Sequence, residues 1–452
     1  MDEQTFSRKI LESLRQNIDE IHTLTNATKT ATTFRGEIER ERTPDLGDPR
    51  VVGWTFLVND KDPHFNEVVQ TMRPLAEHRG MVDPEAPLIF GDEPEDEWNY
   101  WLEENYSELD MRRVPHYILI VGGPGLVPFR FQSLLDSAAA VGRLEFDSLE
   151  DLKTYGEKII RLEKAASPVV GRKTILFATD GGPDDATYYS RRYMAEPLAD
   201  HIRTRLGFET HELMGDDATK YQLLETLRGT RPALVYTASH GIGAPDESLE
   251  IQKRYNGAIV CQQTGTEPIQ NWLFSADDVP LDEPFLEGSV FFQFACFVYG
   301  TPAESDYAHW LGNPELNSVE DFVAALPKRL LAHPRGPIGF IGHLDTAWLH
   351  GFADPESPDI LDRWHTRIDP FVQAINTLLK VQPSGLAMAK MNKRYDITNA
   401  VISSTWDRLQ RGGIQMTPDR YERLAHVFIT RSDAQNHMIF GDPAARLRIP
   451  TE

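Results

Sequence analysis

Residues 289–300 read SVFFQFACFVYG, and residues 232–241 read PALVYTASHG. Each is a short, nearly continuous apolar run bounded by turn residues, which is the pattern of a strand buried on both faces rather than of a half-exposed, alternating one. One run delivers Cys296 at its end, and the other delivers His240 followed by Gly241. Ligands of open α/β sheets bind beyond the carboxyl ends of the strands, so the polar residues that follow such runs are the first candidates for chemistry.

Further runs of the same kind lie on either side. KTILFAT at 173–179 and GPIGFIG at 336–342 belong with the first two, and helical patterns near 187–205, 218–228 and 319–333 separate most of them. Upstream, VVGWTFLV at 51–58 and PHYILIVGG at 115–123 alternate with helical stretches at about 63–79 and 97–108, and a long helix is expected at 147–165. Strands alternating with helices predict parallel sheet covered by helices on both faces. The reading is of two series: a smaller α/β subdomain over 46–168, and a second α/β sheet in a subdomain over 169–452. Residues 358–410 read as mainly helical, and HMIF at 437–440 as a late strand. At the start, Phe6, Ile10, Leu14, Ile18 and Ile21 recur at helical spacing within 3–24, so residues 1–45 are expected to hold an amphipathic helix and a linker, RTPDLGDPR at 42–50.

Composition narrows the function. The chain has 452 residues, 40% hydrophobic and 25% charged, which suits a folded protein with more than one lobe. A net charge of −23 and the lack of a basic stripe argue against nucleic acid as a partner. Two cysteines, Cys261 and Cys296, leave no disulfide framework and no cysteine-based zinc site. With no apolar run of about 18 residues and no secretory leader pattern, a cytoplasmic location off the membrane is expected.

If the two strands are neighbours, a thiol and an imidazole at their ends provide what attack on a carbonyl needs: a nucleophile and a proton carrier. Cys296 is then the nucleophile, His240 the acid–base partner, and the N–H groups of Gly241 and Cys296 the oxyanion hole, because glycine lets the backbone approach the substrate. The plainer alternative stays open, since a cysteine ending an apolar strand is often a small core residue.

A strand ending in His-Gly followed by a strand ending in Ala-Cys resembles the caspase-like (clan CD) cysteine peptidases, here through SHG at 239–241 and FACFVYG at 294–300. The likeness is nearest to the gingipain-type peptidases. It takes in PHYILIVGG at 115–123, VGRLEFDSLEDLKTYGEKIIRLEK at 141–164, GPIGFIGHLDTAW at 336–348 and FGDPAARL at 440–447, in order over about 50–447. Ser239 in place of glycine and the bulky Phe297 are departures.

The resemblance implies a caspase-like, mainly parallel sheet flanked by helices, preceded by the smaller subdomain, and a cysteine endopeptidase working through an acyl-enzyme. It places the loop Asp180–Asp185 beside the histidine, with Asp180 the preferred residue to orient His240 or face the substrate. A solvated turn is the equal alternative. It also implies that His343, Asp345 and Trp348 line the substrate pocket, with Asp345 favouring a basic side chain. The other class of function is a catalytically silent pseudo-peptidase that acts as an interaction module, its N-terminal helix recruiting a protein partner. For the peptidase, latency is expected, with the insertion at about 245–286 or the loop at 300–318 restraining activity until a partner binds or the chain is cut.

Rival sites read as structure. GGPG at 122–125 lacks both the third glycine of a dinucleotide loop and the Gly-Lys-Ser/Thr of a P-loop, so it is a tight turn. The acidic run GDEPEDEW at 91–98 has no calcium-loop spacing. His309, His350 and His365 sit in no ligand spacing, and no metal or other cofactor is expected.

Overall fold

The structure, a computed structural model, describes residues 45–450 apart from 107–113, 264–267, 269–270, 308–316 and 353–360. The helix expected at 3–24 and His309 lie outside the described residues, as do the side chains of His350 and His365.

Among the described residues, fourteen strands succeed one another: β1 (Trp54–Asn59), β2 (Leu88–Phe90), β3 (Tyr117–Val121), β4 (Ala140–Leu144), β5 (Lys173–Ala178), β6 (Glu209–Met214), β7 (Leu234–Ala238), β8 (Ile259–Val260), β9 (Leu273–Phe274), β10 (Val290–Phe294), β11 (Gly300–Thr301), β12 (Phe322–Val323), β13 (Gly339–His343) and β14 (His437–Phe440). Ten of them form one sheet, in the order β2-β1-β3-β4-β14-β13-β10-β7-β5-β6. The runs that read as buried strands are buried throughout in β3, β7 and β10, because helices cover both faces.

The sequence predicts two sheets, whereas the two strand series share one. The late strand β14 makes the seam: it pairs antiparallel with β13, His343 facing His437, and parallel with β4 through Phe440 and Arg143. Every other neighbouring pair in the sheet is parallel. The two halves therefore run in opposite directions, and their carboxyl ends lie at opposite edges.

Helix Leu149–Glu163 starts at the cap Ser148, whose hydroxyl accepts the Asp151 amide, and crosses Phe65–Arg79 on one face of the sheet. There Arg79, 3% exposed, donates to Asp442 and, through two nitrogens, to Glu163 at 2.7 and 2.8 Å. The GGPG segment is a turn, as expected. The amides of Leu126 and Val127 donate to the Gly123 carbonyl, and buried Arg143 donates to the carbonyls of Gly122 and Val127 at 2.8 and 2.7 Å. No helix among the described residues is long and apolar enough to cross a membrane.

Candidate active site

Strands β5, β7, β10 and β13 are consecutive neighbours and parallel, so the residues just past their carboxyl ends gather at one sheet edge. Thr174 to Ala178 of β5 pair with Leu234 to Ala238 of β7, and these with Val290 to Phe294 of β10. The ladder continues one step further, where the Ser239 amide donates to the Phe294 carbonyl. His240 and Cys296 each lie two residues past paired partners, Ala238 and Phe294, and so leave the sheet side by side.

Gly241 is packed against the backbone of Cys296. A Cβ built there would stand 1.8 Å from the Cys296 carbonyl oxygen, so only glycine allows the two strand ends this approach. Directly after the cysteine, Phe297 takes a left-handed conformation, φ 59°, which turns the chain and lays its ring against Gly243.

The His240 ring is half exposed, and its Nε2 lies 2.9 and 3.0 Å from the two Asp185 oxygens. Asp185 is the N-cap of helix Ala186–Ser190 and also accepts from the Thr187 amide at 2.8 Å. Burial pushes its carboxyl up, but the bonds from Thr187 and His240 outweigh this and hold it below the ordinary aspartate value. The carboxylate on His240 is thus Asp185, not Asp180. Asp180 pairs with Arg191 at 3.0 Å and accepts the Gly182 amide, while its own backbone is clasped by the Gln262 side chain, two bonds of 2.9 Å. Both aspartates stand in the same polar string, and the signal separating them is the Asp-Ala-Thr start of a helix, which fixes the Asp185 carboxylate.

The two thiols differ. Cys261 is core, its ionisation pushed up to about 12 by burial. Cys296 is partly exposed, and its Sγ accepts the Ala347 amide at 3.3 Å. Burial pushes this thiol up to about 11, with the Asp345 charge adding to the effect and the Ala347 amide opposing it. The neutral thiol, not the thiolate, is therefore the resting form at neutral pH.

Two of the three residues expected to line the pocket, His343 and Asp345, are buried. His343 lies inside the strand rather than beyond it, with no exposed surface. Asp345 is 1% exposed, and both its oxygens are engaged, accepting from the Ser305 hydroxyl, the Asp306 amide and the Thr346 amide. A carboxylate committed in this way has nothing left for a basic side chain, so the preference inferred from Asp345 loses its support. Trp348 packs its ring edge-on to Tyr307, centroids 5.5 Å apart.

No protein-family model matches this chain, and no curated protein matches it in sequence. Among solved structures it is similar to the Arg-specific cysteine proteinase gingipain R, with 13% identity, TM-score 0.45, and coverage of 90% of this chain and 80% of that one. A structure described only as a protease has 10% identity, TM-score 0.49, and coverage of 88% and 78%. Separase in its complex with securin from Saccharomyces cerevisiae has 11% identity, TM-score 0.36, and coverage of 78% of this chain and 17% of that one. The likeness is one of fold, a mainly parallel sheet flanked by helices.

Proposed function

We propose that the chain is a cysteine endopeptidase whose nucleophile is Cys296 and whose acid–base group is His240. The observation that carries this reading is the pairing of β7 with β10, which sets His240 beside Cys296 at a shared carboxyl edge, with Asp185 fixing the imidazole. If Nε2–H donates to Asp185, Nδ1 keeps its lone pair for the thiol proton. The thiolate sulfur then bonds to the peptide carbonyl carbon, the oxyanion is held by the N–H groups of Gly241 and Cys296, and His240 returns the proton to the leaving amine. Water, deprotonated by His240, releases the acyl group.

The capped, neutral thiol supports a latent enzyme. Ala347 caps the sulfur, and the segment carrying Ala347 is clamped by Asp345 to Ser305 and Asp306 of the loop at 300–318. Cutting or displacing that loop frees the segment over Cys296. The same capped thiol also supports the silent pseudo-peptidase reading, so the test must separate the two.

Native protein, intact and after limited proteolysis, is incubated with peptide acyloxymethyl ketones ending in Arg, Lys, Asp or Asn and weighed intact. The expected result is one adduct on Cys296 after nicking, selective for one terminal residue and abolished in His240→Ala. Absence of any adduct in both states supports the pseudo-peptidase.

A further inference from the structure

Behind the candidate active site, on the seam of the sheet, lies a second cluster of reactive side chains. His343 ends β13, His437 begins β14, and the antiparallel register sets them directly opposite. Directly opposed residues project from the same face of a sheet, and these two rings stand edge to face with centroids 4.8 Å apart. Asp433, in the last turn of helix Pro418–Gln435, supplies a carboxylate between them. The three residues are 0%, 2% and 0% exposed for His343, His437 and Asp433.

Hydrogen bonding fixes which atoms face inward. The Nδ1–H of His343 donates to the Asp345 carbonyl at 2.8 Å, and that of His437 to the Asp433 carbonyl at 2.7 Å. In the neutral ring, each Nε2 then carries the lone pair. Among the described residues, neither Nε2 nor either Asp433 oxygen makes a well-formed hydrogen bond, the one close approach being His343 Nε2 to Asp433 Oδ1 at 3.4 Å. Four buried polar atoms without a well-formed hydrogen bond in one place require an explanation, since nearly all buried polar atoms are paired. The nearby cation Arg394 donates to the carbonyls of Gly351 and Arg367 instead.

We propose that His343, His437 and Asp433 form a buried metal site that takes a borderline divalent ion, zinc(II). One ligand atom from each lies within 4.8 Å of the others, and His343 Nε2 is 3.4 Å from Asp433 Oδ1. Bonds of about 2.0–2.1 Å in a tetrahedral site place neighbouring donor atoms about 3.4 Å apart, so that edge is already formed and the third donor needs a shift of up to about 1.4 Å. Two imidazoles select zinc over calcium or magnesium, which take oxygen. Carbonyl bonds on both Nδ1 atoms are the outer-shell contacts that orient ligating histidines. Gly351 completes the fit: a Cβ there would stand 2.2 Å from Asp433 Oδ2.

The site reaches the nucleophile's loop through one atom. The Asp345 carbonyl that accepts from His343 also accepts the Phe297 amide at 3.1 Å. An ion on His343 braces the turn that follows Cys296, whether or not the chain is a peptidase.

The test uses the full-length chain, stripped with a chelator and titrated with zinc(II) against a chromophoric competitor. One equivalent is expected to bind, with affinity reduced at least about 100-fold in Asp433→Asn and in His437→Gln, and unchanged in Cys296→Ala. Because ligand variants can fail to fold, wild-type protein loaded with cobalt(II) gives a second readout, the intense visible bands of a tetrahedral nitrogen–oxygen site without a thiolate charge-transfer band. Failure of wild type to bind zinc, or an equivalent lost in Cys296→Ala and kept in folded Asp433→Asn, overturns the proposal. The former outcome would assign the cluster to a protonated His343 paired with Asp433.

Discussion

Native Cys296 should react with iodoacetamide about twentyfold more slowly than a free thiol at pH 7.5. A thiol pushed up to about 11 is ionised to only about 0.03% at that pH, against about 9% for a free cysteine near 8.5, a deficit of about 300-fold. A more basic thiolate is the better nucleophile, and a Brønsted slope of about 0.4–0.5 over about 2.5 units returns about ten- to twentyfold. The residual gap is the expected signature of the enclosure around the sulfur and the Asp345 charge behind it.

The assay is intact-mass alkylation over pH 7–10 with a small reference thiol in the same tube and peptide mapping of the product. The rate at Cys296 should climb tenfold per pH unit across the range, while the reference flattens above about pH 8.5. Cys261, pushed up to about 12 in the core, should lag behind both. Labelling at Cys296 that equals or exceeds the reference at pH 7.5, with a plateau below pH 8, would mean a resting thiolate and would refute the capped, latent site.

Three other perturbations test the geometry. Asp185→Asn should lower the rate of peptide cleavage or of peptide-ketone labelling about 10²-fold or more, in the range of general acid–base contributions, while Asp180→Asn, which disturbs an Arg191 pair, should change it far less; equal effects would return the orienting role to an open question between the two. Gly241→Ala forces apart backbones that leave 1.8 Å for the new methyl, so labelling should fall about 100-fold and stability by about 1–3 kcal/mol in urea titration, and a wild-type rate would show that the strand ends need not touch. Arg79→Met strands the buried carboxylates of Glu163 and Asp442 and should cost about 3–5 kcal/mol. Burial raises the Glu163 carboxyl, but the Arg79 charge and bonds from His78 and Arg79 hold it down to about 2. Its folded value is below the unfolded one, so its contribution is full above about pH 4.3 and lost as pH falls toward 2, and acid titration of wild type should show that loss while Arg79→Met does not.

The central strands were legible because strands buried on both faces are written as unbroken apolar runs, and β3, β5, β7, β10 and β13 all carry one. Strands without that signature escaped notice. The edge strand β6, ETHELM, is polar because one side has no partner, and β4, AVGRL, holds Arg143 in the core only because three carbonyls and the Gln132 side chain receive it. The seam was invisible for another reason: β13 and β14 are far apart in the chain, and no local pattern states that they pair. That pairing extends β13 to His343, which turned an expected loop residue into a core one. The helix Pro418–Gln435, and with it Asp433, was likewise not anticipated. The candidate dyad was legible because it sits immediately after two readable strands, whereas its orienting carboxylate depends on how a loop folds back.

The reversal at β13 and β14 explains why chemistry gathers where it does. Had the two halves run the same way, the loops after β1, β3 and β4 would share an edge with those after β5, β7, β10 and β13, and all of them would compete for one rim. Instead the Gly-rich turn after β3 lies at the far edge, where Arg143 holds the Gly122 carbonyl. The near edge keeps Asp185, His240, Cys296 and the Asp345–Ala347 segment within one row of neighbouring strands. The antiparallel pair that creates this arrangement is also what sets His343 against His437, so the element that orients the sheet and the proposed ion that braces it occupy the same seam. Loosening that seam should therefore be felt at Cys296 through the Asp345 carbonyl shared by His343 and Phe297, before it is felt at His240, which hangs from β7 and is held from the opposite side by Asp185.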